Sequence, residues 1–461
     1  MDIAIVSNKA MIIGLKIMKP NYHLNYGKRR IDISIKNNNK FIELEKCVKK
    51  IFKGGFDKSY FIENPEKAYH YISAQHMTKR FPKEESKLIS KTLTKNFPEM
   101  MLKQGQILVS CAGTVGNTRY VDQNLEGILG SQDIIRIDPN DELMLHGYLY
   151  AYLSSKTCFQ YLQSYVYGSV VPRIDPKALK NLPIPVLSNK LQIEINSKIL
   201  KASSLRSMAS KSLESAINEV EIRLDYLDKK VNDFNKFGKK INILNIKKLE
   251  LRLDSPYNNS KGRIYQNNIT QEEHFAINEI AEVFHPMLFG KKQLKGTESR
   301  GNQLFKSSSM MKLVPETDFL LSLKKTDKYE KLQVDKNWIL ISRTGTVGNV
   351  VLIYDNQKGI FIDDHMIRIK PKNDFAAIIY FFIKSKFGQE LIKFQKYGSV
   401  QEVINSNYIE RIPIPKSLFE FNFNKKLTLI FNEANDQISK ASVLEKEAID
   451  LVEKEIELWQ K

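Results

Sequence analysis

Gln106–Pro139 reads QILVSCAGTVGNTRYVDQNLEGILGSQDIIRIDP, and Trp338–Pro371 reads WILISRTGTVGNVVLIYDNQKGIFIDDHMIRIKP. Both contain Gly-Thr-Val-Gly-Asn, at Gly113–Asn117 and Gly345–Asn349. The offset of 232 holds without a gap through Gly127/Gly359, Arg136/Arg368 and Pro139/Pro371. A period this long lies far outside the tens of residues of solenoid repeats, so the unit repeated is a whole domain. Working outward, Tyr71-Ile-Ser-Ala-Gln-His-Met77 matches Leu304-Phe-Lys-Ser-Ser-Ser-Met310, and Tyr167-Gly-Ser-Val170 matches Tyr397-Gly-Ser-Val400. Each copy closes on a Pro-Ile-Pro, at Leu182–Pro185 and Ile412–Pro415, where the paired prolines are expected to end regular structure.

A long segment free of Gly and Pro follows each exit. In the first, Leu191, Ile195, Ile199, Ala202, Leu205, Ala209, Leu213, Ile217, Val220, Leu224, Leu227 and Val231 recur every three or four positions. In the second the series is Leu427, Ile430, Ala434, Ile438, Ala441, Leu444, Ala448, Val452 and Ile456. That spacing predicts helices with one apolar stripe, sustained as in a coiled coil. Roughly 40 residues make a rod of about 60 Å. One small domain cannot cover so long a stripe, so the natural partner of each helix is the other. Within each copy, Gln106–Ser110 and Trp338–Ser342 predict a strand and the glycines a turn. Arg119–Val121 and Val350–Tyr354 predict a second strand, and Ile134–Ile137 and Met366–Ile369 the end of a third. His146–Tyr165 and Phe375–Tyr397 predict one helix each. The fold class is α+β, and the chain divides into 1–187, a helix over 188–235, a second domain over 236–418 and a helix over 419–461.

The 461 residues carry a formal net charge of +19. The first helical segment holds eight basic and six acidic residues over Asn189–Val231, and the second six and eight over Lys425–Lys461. The helices sum to zero, so the whole excess lies in the two domains and their linkers. A lysine-rich coding bias would spread it evenly. Its segregation points to a polyanionic partner for the domains, nucleic acid above all. Three cysteines without paired spacing argue against a disulfide framework or a cysteine-based zinc site and fit a reducing, cytoplasmic compartment. The longest apolar run, Phe375–Ile383, is far short of a membrane span, and Lys16 interrupts the apolar stretch near the start, which argues against a signal peptide.

Catalytic patterns are not found. The sequence has no phosphate-binding Gly-x-x-x-x-Gly-Lys-Ser/Thr, no Gly-x-Gly-x-x-Gly and no Asn/Asp-Pro-Pro-aromatic tetrapeptide of an amino-methyltransferase. Asp363, Asp364 and His365 are the only His/carboxylate cluster. The first copy has Ser131 and Asp133 at matched sites, which argues against a shared metal site, and no metal is expected. The repeated turn has two compatible readings. Its glycines allow a hairpin. They also allow backbone N–H groups to approach a phosphate, with Thr114, Asn117, Thr346 and Asn349 offering side-chain hydrogen bonds. The flanks differ between copies: Cys111-Ala112 against Arg343-Thr344, Arg119 against Val351, and Val171-Pro172-Arg173 against Gln401-Glu402-Val403. So do Lys79–Lys95 in the first copy and Lys291–Arg300 and Lys324–Lys331 in the second. A shared frame with different Arg, Gln and Ser at its loops suits two readers of different base sequences. Candidate DNA contacts are therefore Thr114, Asn117, Arg119, Ser169 and Arg173 in the first copy and Arg343, Thr346, Asn349, Ser399 and Gln401 in the second.

Domain, long helix, similar domain, long helix resembles the layout of the specificity subunits of type I restriction-modification enzymes. Ile107–Gly116 and Ile339–Gly348, with the closing segments Gly168…Pro185 and Gly398…Pro415, are similar to that family's target-recognition domains. The resemblance covers nearly the whole chain. It implies two target-recognition domains separated by helices that form an antiparallel coiled coil with pseudo-twofold symmetry. Each domain would read half of a split double-stranded DNA site, with the helix pair as a ruler. The helices would dock two methyltransferase subunits, restriction subunits would complete the assembly, and S-adenosylmethionine, ATP and Mg would belong to those partners. This chain would hold no cofactor and catalyse nothing. The early Arg-Leu-Asp of the second copy, Arg252–Asp254, has only Arg30-Ile31-Asp32 to match it in the first. Two other readings stay open: a single-chain methyltransferase or nuclease with tandem recognition domains, and an RNA-binding coiled-coil scaffold.

Overall fold

The computed structural model describes residues 20–37, 39–55, 59–95, 97–229, 257, 260–287, 293–294, 301–398 and 401–460. Val231, Arg252–Asp254 and most of Lys291–Arg300 lie outside the described residues. The chain divides into two compact units, Met1–Ser207 with Lys440–Lys461, and Met208–Ser439.

Both units are built on one plan. In the first, a four-stranded antiparallel sheet runs in the order Val48–Lys53, Ile134–Pro139, Ile107–Ser110, Thr118–Tyr120. In the second the order is Ala281–Phe284, Met366–Pro371, Ile339–Ser342, Val350–Leu352. The central strand is buried at every residue, Ile107–Ser110 in one unit and Ile339–Ser342 in the other, as an apolar run with sheet on both edges should be. A second sheet joins Lys87–Ser90, Ala68–Ile72 and Leu129–Gly130 in the first unit. Its counterpart joins Gln293–Leu294, Leu320–Leu321, Asn302–Phe305 and Phe361–Ile362.

The repeated Arg136 and Arg368 explain themselves here. Each is 0% exposed. The Arg136 guanidinium donates to the carbonyls of Ile134 at 2.9 Å, Met100 at 3.0 Å and Gly130 at 2.6 Å. That of Arg368 donates to Ile362 at 2.7 Å and to Met366. In each copy one arginine ties the end of the large sheet to the small one through backbone carbonyls, and burial pulls its pKa down to about 10. A Cβ on Gly54 would stand 2.5 Å from the Arg136 guanidinium, so that glycine makes room for it.

Two expectations are corrected. The paired prolines do not end regular structure. Pro183–Pro185 pairs with Phe41–Glu43, and Pro413–Pro415 with His274–Ala276. The ladder bonds run from Leu44 N to Leu182 O and from Val186 N to Lys40 O, so Ile42 and Ile184 form the hydrogen-bonded pair. The prolines occupy the alternate positions, where no N–H is needed. The single helices expected over 146–165 and 375–397 are each two helices, His146–Leu153 with Lys156–Ser164 and Ala376–Lys384 with Lys386–Lys393. A serine makes each break. Ser155 Oγ accepts the N–H of Cys158 and Ser385 Oγ that of Gly388, capping a new helix in mid-run. An earlier helix packs across the second of each pair, Tyr26–Lys36 on Lys156–Ser164 and Lys261–Ile269 on Lys386–Lys393. Gly27 and Gly262 sit at those crossings, where a Cβ would collide with the carbonyls of Thr157 and Glu390.

The long helices are Asn189–Arg223 and Phe421–Leu458. After the closing segments, which match at an offset of 230, the offset of 232 returns in the helices: Ile195/Leu427, Ile199/Phe431, Ala202/Ala434, Ala209/Ala441, Ala216/Ala448, Val220/Val452 and Leu224/Ile456 are all buried. The run is antiparallel. In the first unit Lys198 bonds Glu447 at 2.7 Å and Arg206 pairs with Glu445; in the second Glu219 pairs with Lys426 at 2.7 Å and Arg223 with Glu420. The seam departs from the expected stripe at Leu191, Leu205, Ile217, Ile430 and Leu444, each of them half-buried. At Ile217 and Ile430 the neighbouring Ala216 and Phe431 are buried instead, and at Leu205 and Leu444 the neighbouring Arg206 and Glu445 turn in, with side chains 11% and 2% exposed.

Arg206 and Glu445 head a buried polar cluster with Tyr150, Arg119 and Asp122. Tyr150 Oη donates to Glu445 at 2.5 Å. Burial pushes the Glu445 carboxyl up, but Arg206 and the tyrosine hydroxyl outweigh it and hold the group below the usual carboxylate range. The second copy has Ile438, Leu213, Tyr380, Val351 and Tyr354 at the matched positions, all buried. The same space is thus filled by charges in one unit and by apolar and aromatic groups in the other. Two further acids tie the domains to the helices. Glu453 accepts from Thr157 N at 2.6 Å and from Arg30 at 2.9 Å, and Glu221 accepts from Lys386 N at 2.6 Å.

Glu445→Leu alone is expected to lower the stability of the full chain by about 3–5 kcal/mol, because it strands Arg206 in the seam. Arg206→Ile with Glu445→Leu copies the matched pair of the other unit and should recover most of that loss, with the Tyr150 hydroxyl left without its acceptor. A calorimetric scan separates the two. The sign with pH follows from the lowered carboxyl. Its contribution is complete above the unfolded carboxylate range and is lost as pH falls through the folded value. The double variant should therefore lose less stability on acidification than the parent.

Candidate nucleic-acid interface

In the first copy the strands Ile107–Ser110 and Thr118–Tyr120 are joined by the repeated turn. Gly113 and Gly116 adopt φ +73 and +88, and Gly345 and Gly348 adopt +75 and +96, a region that side chains avoid. The two glycines of each turn serve different ends. A Cβ on Gly116 would press on Gln163 Nε2 at 2.9 Å and one on Gly348 on Ile392 at 3.1 Å, so these face the helix behind. Gly113 and Gly345 face open space. Ser110 Oγ ties the turn from within, donating to the Thr114 carbonyl and accepting the Asn117 N–H at 2.9 Å.

A second loop lies against the turn in each copy. Tyr167 and Arg173 exchange backbone hydrogen bonds and close a five-residue loop, Gly168–Pro172, and Tyr397 and Val403 do the same. Ala112 bridges Arg173, Gly113 N–H donates to the Pro172 carbonyl at 3.1 Å, and Ile174 N–H to Cys111 O at 3.0 Å. In the second copy Thr344 bridges Val403 and Ile404 N–H donates to Arg343 O at 3.1 Å. The two segments found as repeats far apart in sequence are therefore one surface in each domain.

The candidate contacts fall into three groups. Thr114 and Thr346 on the turns, Ser169 and Arg173 on the first loop and Gln401 on the second are exposed. Asn117, Asn349 and Arg343 are half-buried; Asn117 Nδ2 is already donated to the Thr114 carbonyl at 2.9 Å, so this side chain shapes the turn. Ser399 lies outside the described residues. Arg119 is corrected: at 4% exposure it donates to the Lys79 carbonyl at 3.2 Å, stands 4.0 Å from Asp122 and belongs to the buried cluster below the hairpin. DNA cannot reach it. Both faces of strand Thr118–Tyr120 are covered, with Arg119 and its neighbour Tyr120 buried on opposite sides, which residue type alone does not reveal.

Sequence reading missed one pair of positions. The end of the edge strand brings Lys53 beside Cys111, and in the second copy His285 beside Arg343. The repeat offset pairs Lys53 with His285, but the match was not carried that far upstream. Burial raises the Cys111 thiol, with Lys53 and Arg173 acting against it. Burial also lowers His285, and Arg343 lowers it further. His285 Nδ1 lies 3.0 Å from Ser406 Oγ, and Thr344 Oγ1 lies 3.2 Å from His365 Nδ1. Under the turn, the first copy thus presents Lys53, Cys111, Asp133 and Arg173, where the second has His285, Arg343, His365 and Val403. Asp363 accepts the His365 N–H, and among the described residues no group of His, Cys, Asp and Glu is arranged to hold a metal. No described helix is long and apolar enough to cross a membrane.

Residues 36–214 and 272–416 match the family model "Type I restriction modification DNA specificity domain", together more than half of the chain. No curated protein matches the chain. Among solved structures, a type I restriction-modification system S subunit from M. genitalium is 16% identical, with 92% of this chain and 96% of that one covered at a TM-score of 0.31. The HsdS subunit from Thermoanaerobacter tengcongensis is 13% identical, with 90% and 95% covered at a TM-score of 0.27. A structure described as showing complex assembly and conformational transition of the type I R-M system is 12% identical, with 91% and 96% covered at a TM-score of 0.26. The chain belongs to the type I restriction-modification DNA specificity family and carries its domain twice.

Proposed function

We propose that each unit reads one half of a split double-stranded DNA site and that the chain itself catalyses nothing. The observation that carries this reading is the pairing of a conserved frame with divergent tips. The two turn-and-loop surfaces have matching backbones, yet their side chains differ at Lys53/His285, Cys111/Arg343, Asp133/His365 and Arg173/Val403. Gly113 and Gly345, open to solvent, let a phosphate approach backbone N–H groups, while Thr114 and Thr346 offer hydroxyls. Arg173, Arg343 and Gln401 supply the bidentate chemistry that distinguishes guanine and adenine. Ser169, Asn349 and Ser399 are positioning contacts in the same scheme.

The helix pair acts as the ruler between half-sites and as a platform for two methyltransferase subunits. Ile193 and Leu200 are exposed on the central helix in the first unit, as are Met208 and Ile222 in the second. Apolar groups on an otherwise charged helix suit a protein partner. Restriction subunits complete the assembly, and S-adenosylmethionine, ATP and Mg are used by the partners. Purified chain that methylates or cuts DNA by itself overturns the non-catalytic reading, and single-stranded RNA outcompeting duplex DNA overturns the DNA reading.

Affinity for duplex DNA should fall with salt at a log–log slope of about −0.9 per phosphate neutralised, measured by titration at several salt concentrations. Arg343→Ala should cost roughly 1–3 kcal/mol on the target duplex and relax one base position. An equal loss on every sequence assigns it to phosphate instead. Arg119→Met should leave the salt slope unchanged, since that arginine is buried. Inserting whole helical turns into both long helices should lengthen the tolerated gap between half-sites, read by genome-wide mapping of methylated bases. An unchanged gap removes the ruler role.

A further inference from the structure

The two loops that lie against the turns are closed in the same way and tipped differently. Gly168 and Gly398 adopt φ +89 and +99, and a Cβ on either would collide with a carbonyl across the loop, that of Val171 or Gln401. Tyr167 with Arg173 and Tyr397 with Val403 seal the two bases. In the first copy the loop is thus closed by backbone hydrogen bonds and a glycine turn, and its tip side chains are left to differ. In the second copy Gln401 and Glu402 are exposed, and Glu402 is paired with Lys396 at 3.2 Å. In the first copy the same places are Val171 and Pro172; the valine before them, Val170, is common to both sequences, with Val400 at the matched position. Val170 is 90% exposed and Val171 44%, and no other exposed large apolar side chain among the described residues stands so far into solvent as Val170. A scattered apolar surface residue is ordinary. Two adjacent valines on a tip whose backbone is locked, beside Arg173 and the open Gly113, form a small apolar edge flanked by hydrogen-bonding groups.

We propose that the first unit reads a thymine through its C5-methyl group, with Val170 and Val171 as the contacting side chains. This rests on the reading of the two surfaces as DNA-contacting. In the major groove the thymine methyl is the one apolar mark on a base edge, and a valine, which has no donor or acceptor, recognises nothing else there. The second unit, with Gln401 at the matched position, has the group that suits adenine N6 and N7. The two loops thus differ where Val171 matches Gln401 in the repeat: a second apolar side chain extends the valine tip in one, and a hydrogen-bonding amide follows it in the other.

The test uses the full chain, assembled with its methyltransferase partners, and the target duplex defined by methylation mapping. Each thymine of the first half-site is replaced in turn by deoxyuridine, which removes only the methyl group. At one position the replacement should weaken binding about fourfold, the worth of burying one methyl group. Val170→Ser with Val171→Ser should bind thymine and uracil duplexes equally, while its melting temperature stays that of the parent because the loop backbone carries the fold. A first half-site without thymine, or a uracil effect that survives in the double serine variant, overturns the inference. So does a serine variant that loses affinity equally on thymine and uracil duplexes, since the valines would then act as a wedge between base steps. Failure of the parent to prefer any duplex rejects the DNA-reading function itself, whereas sequence preference without a methyl effect rejects the thymine contact alone.

Discussion

The register of the helix pair is set by one buried ion pair. Its seam alternates steps of four and three residues, with alanines at Ala202, Ala209 and Ala216 on one helix and Ala434, Ala441 and Ala448 on the other. Each heptad of such a seam looks much like the next. A slide of one heptad still places apolar groups on apolar groups, so apolar packing by itself fixes the register weakly. Arg206 and Glu445 are different. They meet in one register only, and any slide leaves a charge in the seam without its partner. The exposed pairs Lys198–Glu447 and Glu219–Lys426 contribute little beside it. The ion pair is therefore the contact that fixes the register of the seam most strictly.

The same cluster makes the two units unequal. Arg119, Asp122, Tyr150, Arg206 and Glu445 in one stand where Val351, Tyr354, Tyr380, Ile438 and Leu213 stand in the other. Pairing either helix with another of its own kind would set Arg206 against a leucine or Glu445 against an isoleucine. The charges therefore favour the central helix with the C-terminal one. One ion pair in place of the apolar contact found at the matched positions is enough to tell the two helices apart.

The repeat made most of the frame legible before any coordinates. It located the central strands, the glycine turns, the closing loops and both helices, because those segments answer to rules that leave marks in sequence: positive φ at glycine, continuous apolar runs in strands buried at every residue, period-3.6 stripes. What stayed hidden depended on side-chain direction or on a local cap. Ser155 and Ser385 break their helices although the apolar pattern runs through them, since a serine caps a helix only if the chain before it turns away. Pro183–Pro185 reads as an ending but fits a strand because its prolines fall on alternate positions. Leu205 and Leu444 look like better core residues than Arg206 and Glu445, and only the presence of both charges on facing helices reverses the preference.

Arg119 shows why the candidate contacts were less legible than the fold. An arginine that replaces a valine between copies of a basic domain has the profile of a base reader, and the same profile belongs to an arginine that answers a buried acid. The distinguishing fact is a second difference in step with it: Asp122 against Tyr354, and Glu445 against Leu213. Where copies differ at several positions that share one space, the changes compensate each other and describe the interior. The loop tips differ as well, Val171-Pro172-Arg173 against Gln401-Glu402-Val403, but Val171 and Gln401 are exposed, so their difference does not describe the interior. On the DNA-reading function proposed above, what answers such a residue is the base it meets.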